Sequence, residues 1–265
     1  MADISARDIQ ALRQATGAGM LDCKRALEAS QGDAEAARQW LREKGLTRAS
    51  VGEAREANQG AVAVGCVGGP AAIVELRCET DFVAKAAEFV HLTEELARQV
   101  AAEGEQAISE RQDEVEALRI SLKEAISVGR VVRFDPVEGA VTGTYLHIQS
   151  DRGVNAVMVE VTGGSADLAH EVAVHIAFAR PAYLSRQDVP ADQVAAERGT
   201  LETLSRNEGK PEAAMDKIVE GRMRGWFAER CLLDQAYVRD EKSTVAQHLG
   251  SARVTRFSQV VVGLS

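Results

Sequence analysis

The sequence predicts an α+β protein, and three observations carry that prediction. Apolar residues return at helical spacing through residues 1–45. Further on, a pair of alternating strands followed by an amphipathic helix occurs twice, which predicts two related α+β subdomains with antiparallel sheets. Residues 191–230 then read as two helices joined by Glu208-Gly209-Lys210-Pro211, an antiparallel helical hairpin. Hydrophobic residues make up 45% of the 265 but aromatics only 4%, so the core must rest on Ala, Val, Leu and Ile.

Taken in order, Ser5 caps a first helix with Asp8 three residues on in a capping-box arrangement, and Ile9 and Leu12 give it an apolar face. Thr16-Gly17-Ala18-Gly19 ends it. A second helix starts near Met20 and sets Cys23 and Leu27 on one side. Asp33 caps a third, which carries Ala37, Trp40 and Leu41 and stops at Gly45. Residues 46–58 are polar, without apolar periodicity, and read as a linker. Three helices of this size make a bundle that is marginal alone, which suits a docking module.

From Gly60 the period becomes two. Ala61 to Val67 is a strand, Gly68-Gly69-Pro70 a turn, and Ala72 to Cys78 the returning strand. A helix from about Val83 presents Phe89, Leu92, Leu96 and Val100, and another from about Ser109 to Ile126 presents Val115, Leu118, Leu122 and Ala125. The second block opens at Gly139-Ala140-Val141, turns at Asp151-Arg152-Gly153, and returns through Ala156 to Val161; its helix places Leu168, Val172 and Ile176 inward. In the hairpin, Val194, Leu201 and Leu204 share one helix, and Met215, Ile218, Val219, Met223 and Trp226 the other. A last strand runs from Arg253 to Val262. The expected units are 1–45, 59–136 and 137–265, with 46–58 between the first two.

The net charge of −9 and the absence of a basic block argue against a phosphate-backbone binder. No apolar run reaches the roughly 18 residues of a spanning helix, and Met1-Ala2-Asp3-Ile4-Ser5 does not open a secretory signal. Cys23, Cys66, Cys78 and Cys231 are scattered, without the paired spacing of a zinc site, and read as buried thiols in a reducing compartment. A cytoplasmic protein without cofactor, membrane or nucleic acid is the expectation.

Two stretches carry the functional signal: Thr16-Gly17-Ala18-Gly19-Met20-Leu21-Asp22-Cys23-Lys24 and Glu79-Thr80-Asp81-Phe82-Val83-Ala84-Lys85. With Glu220-Gly221-Arg222-Met223 further on, they resemble the signature segments of the elongation factor Ts family, in the right order over nearly the whole chain. The resemblance implies a three-helix N-terminal module of the ubiquitin-associated type, a core of two related subdomains and a protruding helical hairpin. It implies a nucleotide-exchange factor that releases GDP from elongation factor Tu without covalent chemistry. The complex would be a heterodimer or a heterotetramer.

The same resemblance assigns the residues. Thr80, Asp81, Phe82 and Val83 match the segment implicated in disturbing the Mg²⁺ site of the partner. Phe82 would insert, and Asp81 would perturb the surroundings of the metal; the plain alternative is that Asp81 caps a helix while Phe82 closes the core. Met20 and Leu21 match a pair that meets the GTPase, with Leu21 where many relatives have a second Met, a volume-conserving change. Arg13 would add a charged contact; the plain alternative is a solvated helix arginine. His147 and Val238 match two further contact points, the second weakened because Arg239 stands where some relatives have an apolar residue.

Other chemistry fails on spacing. His170-Glu171 and His175 fall short of the zinc-protease motif, because a five-residue gap turns the two histidines apart by about 140° on a helix. Gly209-Lys210 lacks the upstream Gly and following Ser or Thr of a phosphate loop. The glutamates of 94–124 read as solvated helix faces. A hydrolase centred on His170, or a ribosome-associated protein, are the alternative classes; the first needs turnover alone, the second a basic face with exposed aromatics.

Overall fold

The computed structural model describes residues 5–16, 18–43 and 58–264. Helices α1 (Ala6–Thr16), α2 (Met20–Ala29) and α3 (Ala34–Glu43) close on one another around Leu12, Cys23, Ala26, Leu27, Ala37 and Leu41. The local signals hold. The Ser5 N–H donates to Asp8 Oδ2 at 3.2 Å and the Asp8 N–H to Ser5 Oγ at 3.2 Å. Asp33 Oδ1 accepts from the N–H groups of Glu35 and Ala36 at 2.9 and 3.1 Å. Gly45 and most of the expected linker lie outside the described residues.

Strands β1 (Gln59–Cys66) and β2 (Ala71–Cys78) form an antiparallel hairpin with Ala63 opposite Val74. The chain then makes one turn of helix, α4 (Asp81–Ala84), before α5 (Ala87–Glu103). The single helix expected from Val83 is therefore broken at Lys85 and Ala86. The helix expected over 109–126 is likewise two pieces, α6 (Gln106–Glu110) and α7 (Gln112–Leu122), and Ile126 belongs to the turn after them. That turn leads into a strand that the sequence pattern hid, β3 (Ser127–Phe134), paired with β2. Its pairing skips a residue at Glu75, and the slip scrambles the alternation of Val128, Val131, Val132 and Phe134.

The second block repeats the plan. Strands β4 (Ala140–Gln149) and β5 (Arg152–Thr162) pair, and α8 (Ala166–Ala179) packs across them. The turn is Ser150-Asp151, both with positive φ (52° and 60°), so Arg152 and Gly153, expected in the turn, already belong to the strand. The chain leaves for a long excursion: α9 (Ala191–Asn207), α10 (Met215–Arg230), the small hairpin β6 (Ala236–Tyr237) and β7 (Asp240–Thr244), and α11 (Val245–Leu249). It returns as β8 (Arg253–Val261) to complete the sheet beside β5. Helices α9 and α10 enclose a small core of Val189, Met215, Val219, Met223, Phe227 and Cys231, while Leu204 on α9 is exposed.

The outer face of each sheet carries a helix: α5 covers Ala61, Val74 and Leu76, and α8 covers Val157, Val159 and Val161. The inner faces meet in a shared layer of Val62, Ala71, Ile73, Phe134, Ala156, Met158 and Val260. This burial on both faces explains why β1 and β2 are almost wholly apolar rather than cleanly alternating. Gly65 lets α5 approach β1, since a Cβ there would lie 2.2 Å from the Ala97 carbonyl oxygen. Cys66 ends β1 in an exposed position; the other three cysteines are buried as expected. No helix of the described residues is long and apolar enough to cross a membrane.

Candidate functional site: the Thr80–Val83 corner

The end of β2 and the single turn of α4 form a corner in which Thr80 uses every polar group it has. Its Oγ accepts from the Val83 N–H at 3.3 Å and donates to Glu124 Oε1. Its N–H donates to Glu124 Oε2 at 3.0 Å. Its carbonyl accepts from the Ala84 N–H at 3.2 Å and from the Cys78 thiol at 3.2 Å. Thr80 is thus the N-cap of α4, and Asp81, considered for that part in the sequence, occupies the first helical position instead. Burial, with the Glu124 carboxylate adding to it, pushes the Cys78 thiol up to about 12, so it stays a protonated donor.

One turn of helix divides its side chains sharply. Val83 and Ala84 enter the first core beside Phe89 and Leu76. Phe82, displaced about 100° around the axis from Val83, points outward and is 83% exposed. The alternative in which Phe82 closes the core is ruled out, and Val83 supports the corner from beneath. A fully exposed phenylalanine on an ordered corner is an unusual use of an apolar side chain, and loop corners on rigid scaffolds are where binding residues gather.

Asp81 faces Lys85 one turn on, with Nζ 2.6 Å from Oδ2. The Lys85 ammonium, by that hydrogen bond and by its charge, and more weakly the Arg152 guanidinium, hold the Asp81 carboxyl below the usual carboxylate range. Arg152 comes from the opposite sheet and donates to the Gly60 carbonyl at 2.7 Å and to Gln59 Oε1 at 3.3 Å. The corner therefore borders the seam between the sheets and carries one anionic and one large apolar group side by side.

The sequence missed the residues behind this corner. Glu124 Oε2 also accepts from the Glu79 N–H at 3.2 Å, while Glu79 Oε1 accepts from the Ala125 N–H at 2.9 Å. Two glutamates far apart in the chain each bind the backbone at the other's turn. Glu79 opens the second signature segment, but nothing local marks Glu124; the left-handed conformation of Lys123 (φ 60°) aims it back at β2.

The other expected contacts lie on different elements. Met20 and Leu21, in the first turn of α2, are 62% and 69% exposed. Arg13 is exposed on α1. His147 is exposed near the end of β4, with Nδ1 3.4 Å from the Tyr145 hydroxyl. Val238 is half-buried at the tip of the β6–β7 hairpin; its N–H donates to His175 Nδ1 at 3.3 Å, and Arg239 beside it pairs with Glu171 at 3.1 Å. His170 instead meets the Thr144 carbonyl at 2.8 Å, while His175 is buried against Gln235, so the two histidines serve separate surroundings.

Comparison with known proteins agrees with these signatures. A family model described as Elongation factor TS matches residues 79–264. The chain is 42% identical over 278 residues to Elongation factor Ts of Arthrobacter sp. (strain FB24), covering 99% of this chain and 100% of the relative. It is 41% identical to Elongation factor Ts of Paenarthrobacter aurescens (strain TC1), covering 97% and 99%. Identity to Elongation factor Ts of Renibacterium salmoninarum is 42%, covering 99% and 100%. With Met20, Leu21 and Phe82 exposed and relatives matched from end to end, the chain belongs to the elongation factor Ts family.

Proposed function

We propose that this protein is a guanine-nucleotide exchange factor of translation elongation, which binds elongation factor Tu and speeds the loss of GDP without covalent chemistry. The supporting observation is Phe82, 83% exposed on a corner whose backbone is tied on every side, in a chain of this family. Phe82 inserts near the Mg²⁺ and phosphate site of the partner, and Asp81 disturbs the surroundings of the metal. Of the units 1–45, 59–136 and 137–265, the middle one carries the Thr80–Val83 corner, and the other two add docking contacts: Met20, Leu21 and Arg13 from the first, His147 and Val238 from the last. The work is done in the cytoplasm, in a heterodimer or a heterotetramer with the partner.

The energetics set what the corner must supply. An exchange factor and a nucleotide weaken one another's binding by the same factor. Moving a population from 1:99 to 99:1 takes about 5.5 kcal/mol of differential affinity. Burying Phe82 on the partner gives about 1.5–3 kcal/mol, so the insertion needs the loss of metal contacts and the docking surfaces to complete it. The experiment is release of fluorescent GDP from elongation factor Tu with wild-type protein and with Phe82→Ala, at several Mg²⁺ concentrations. Wild-type protein accelerates release and Phe82→Ala loses most of the acceleration. A folded Phe82→Ala protein with undiminished acceleration refutes the insertion, and no acceleration by wild type refutes the function.

A further inference from the structure

Phe82 can act as a rigid wedge only if the backbone that carries it does not move, and that backbone is held from another part of the chain. The Glu124 carboxylate binds the N–H groups of Glu79 and Thr80 and the Thr80 hydroxyl; Glu79 returns the contact to the Ala125 N–H. The loop after α7 is thereby fastened to the corner across 44 to 46 residues of sequence. Glu124 is half-buried and binds the corner at Thr80, two residues before Phe82. Without it, two backbone N–H groups and a hydroxyl at the start of α4 lose their acceptor, and the single turn of α4 is too short to keep its own geometry.

We infer that Glu124 is a positioning residue for nucleotide exchange, acting through Thr80 to hold Phe82 ready for insertion. The inference rests on the role proposed for Phe82. A wedge ordered in advance loses no freedom on insertion, so the effect falls on the step in which nucleotide is expelled rather than on first docking. Met20, Leu21 and His147, which lie on other elements and share none of these hydrogen bonds, continue to recruit the partner.

The test measures GDP release from elongation factor Tu against concentration of the exchange factor, for Glu124→Ala, Phe82→Ala and the double variant, with thermal unfolding of each. Glu124→Ala is expected to lower the maximal release rate about tenfold while the half-saturating concentration stays within about twofold. In the Phe82→Ala background the same substitution should change the rate little, because the group it positions is gone. Glu124→Gln keeps one acceptor oxygen and carries the same comparison at smaller amplitude should Glu124→Ala fail to fold. An unchanged maximal rate overturns the inference, as does an equal further loss in the Phe82→Ala background, which marks a merely structural role. If Phe82→Ala is itself fully active, the failure belongs to the proposed insertion; if Phe82→Ala is impaired and Glu124→Ala is not, only the positioning falls.

Discussion

Glu75 and Glu160 occupy the same place in the two halves of the core. Each is the buried glutamate of a Val-Glu-aliphatic run on the middle strand of its sheet, and each sits where that strand slips register against its neighbour. Each is paired with an arginine: Glu75 Oε2 with Arg77 at 3.0 Å, Glu160 Oε2 with Arg256 at 2.7 Å. An arginine crosses the seam in both directions, Arg130 reaching the Leu264 carbonyl at 2.8 Å and Arg256 the Asp135 carbonyl at 3.1 Å. The apolar layer between the sheets is thus flanked by two matching polar stations, which also fix how the sheets sit on each other.

Glu160→Gln should destabilise the fold by about 1–3 kcal/mol, because it removes the charge that Arg256 pairs with and weakens the acceptor of the Thr255 hydroxyl at a buried site. The hydrogen bonds from Thr255 and Arg256, with the charge of Arg256, outweigh burial and hold the Glu160 carboxyl below its ordinary range. A lowered carboxyl pKa stabilises the fold above the unfolded value, and that contribution is lost as pH falls through the folded one. Urea unfolding of wild type and variant between pH 7 and 3 should show the gap narrowing toward acid.

Lys85→Met should bring the Asp81 carboxyl up toward the ordinary aspartate range, since Lys85 is the main cause of its lowering. Carboxyl-carbon NMR titration of the two proteins reads this directly. The site is exposed, so the shift should shrink in high salt. A titration unmoved by the substitution would mean that the ion pair does not form in solution.

Gly65→Ala should cost about 3 kcal/mol of stability, because the added methyl meets the Ala97 backbone rather than a side chain that could turn away. Relieving the clash requires α5 to lift from β1. Thermal unfolding of the variant should drop by several degrees, while Gly199→Ala, at a helical position whose Cβ would meet no other group, should raise stability slightly.

His175 should make the fold less stable in mild acid. Burial, and to a lesser degree the nearby His248, lower its pKa from the ordinary 6.5, while the Gln235 bond opposes this. The neutral ring is therefore favoured by folding; its contribution is complete above about pH 6.5 and declines as pH falls toward the folded value. His175→Gln should flatten the dependence of unfolding free energy on pH between 7 and 5. The β6–β7 hairpin, whose Val238 N–H rests on His175 Nδ1, should show the largest acid-induced change in amide exchange.

What the sequence made legible was what nearby residues decide. The Ser5–Asp8 and Asp33 caps, the Gly68-Gly69-Pro70 turn and the repeated strand pair all rest on contacts a few residues apart. Phe82 was legible as a functional candidate only through its signature segment; its exposure follows from Val83 and Ala84 taking the core side of one helical turn. The losses are nonlocal. Strand β3 was hidden because the slip at Glu75 breaks its alternation, and the Glu79–Glu124 exchange joins residues that no spacing rule connects. The break at Lys85 and Ala86 was missed because the apolar spacing continues smoothly across it.

The excursion between α8 and β8 has a consequence for how the molecule is made. The first sheet can finish as soon as Phe134 has left the ribosome, since its three strands lie within residues 59–134. The second cannot: β5 ends at Thr162, and the strand that protects its free edge begins only at Arg253. While the intervening chain is synthesised, an apolar edge stands open to pairing with any passing strand. The strand that seals it is made only after all of that intervening chain, so a ribosome stalled before β8 would release a product prone to aggregate.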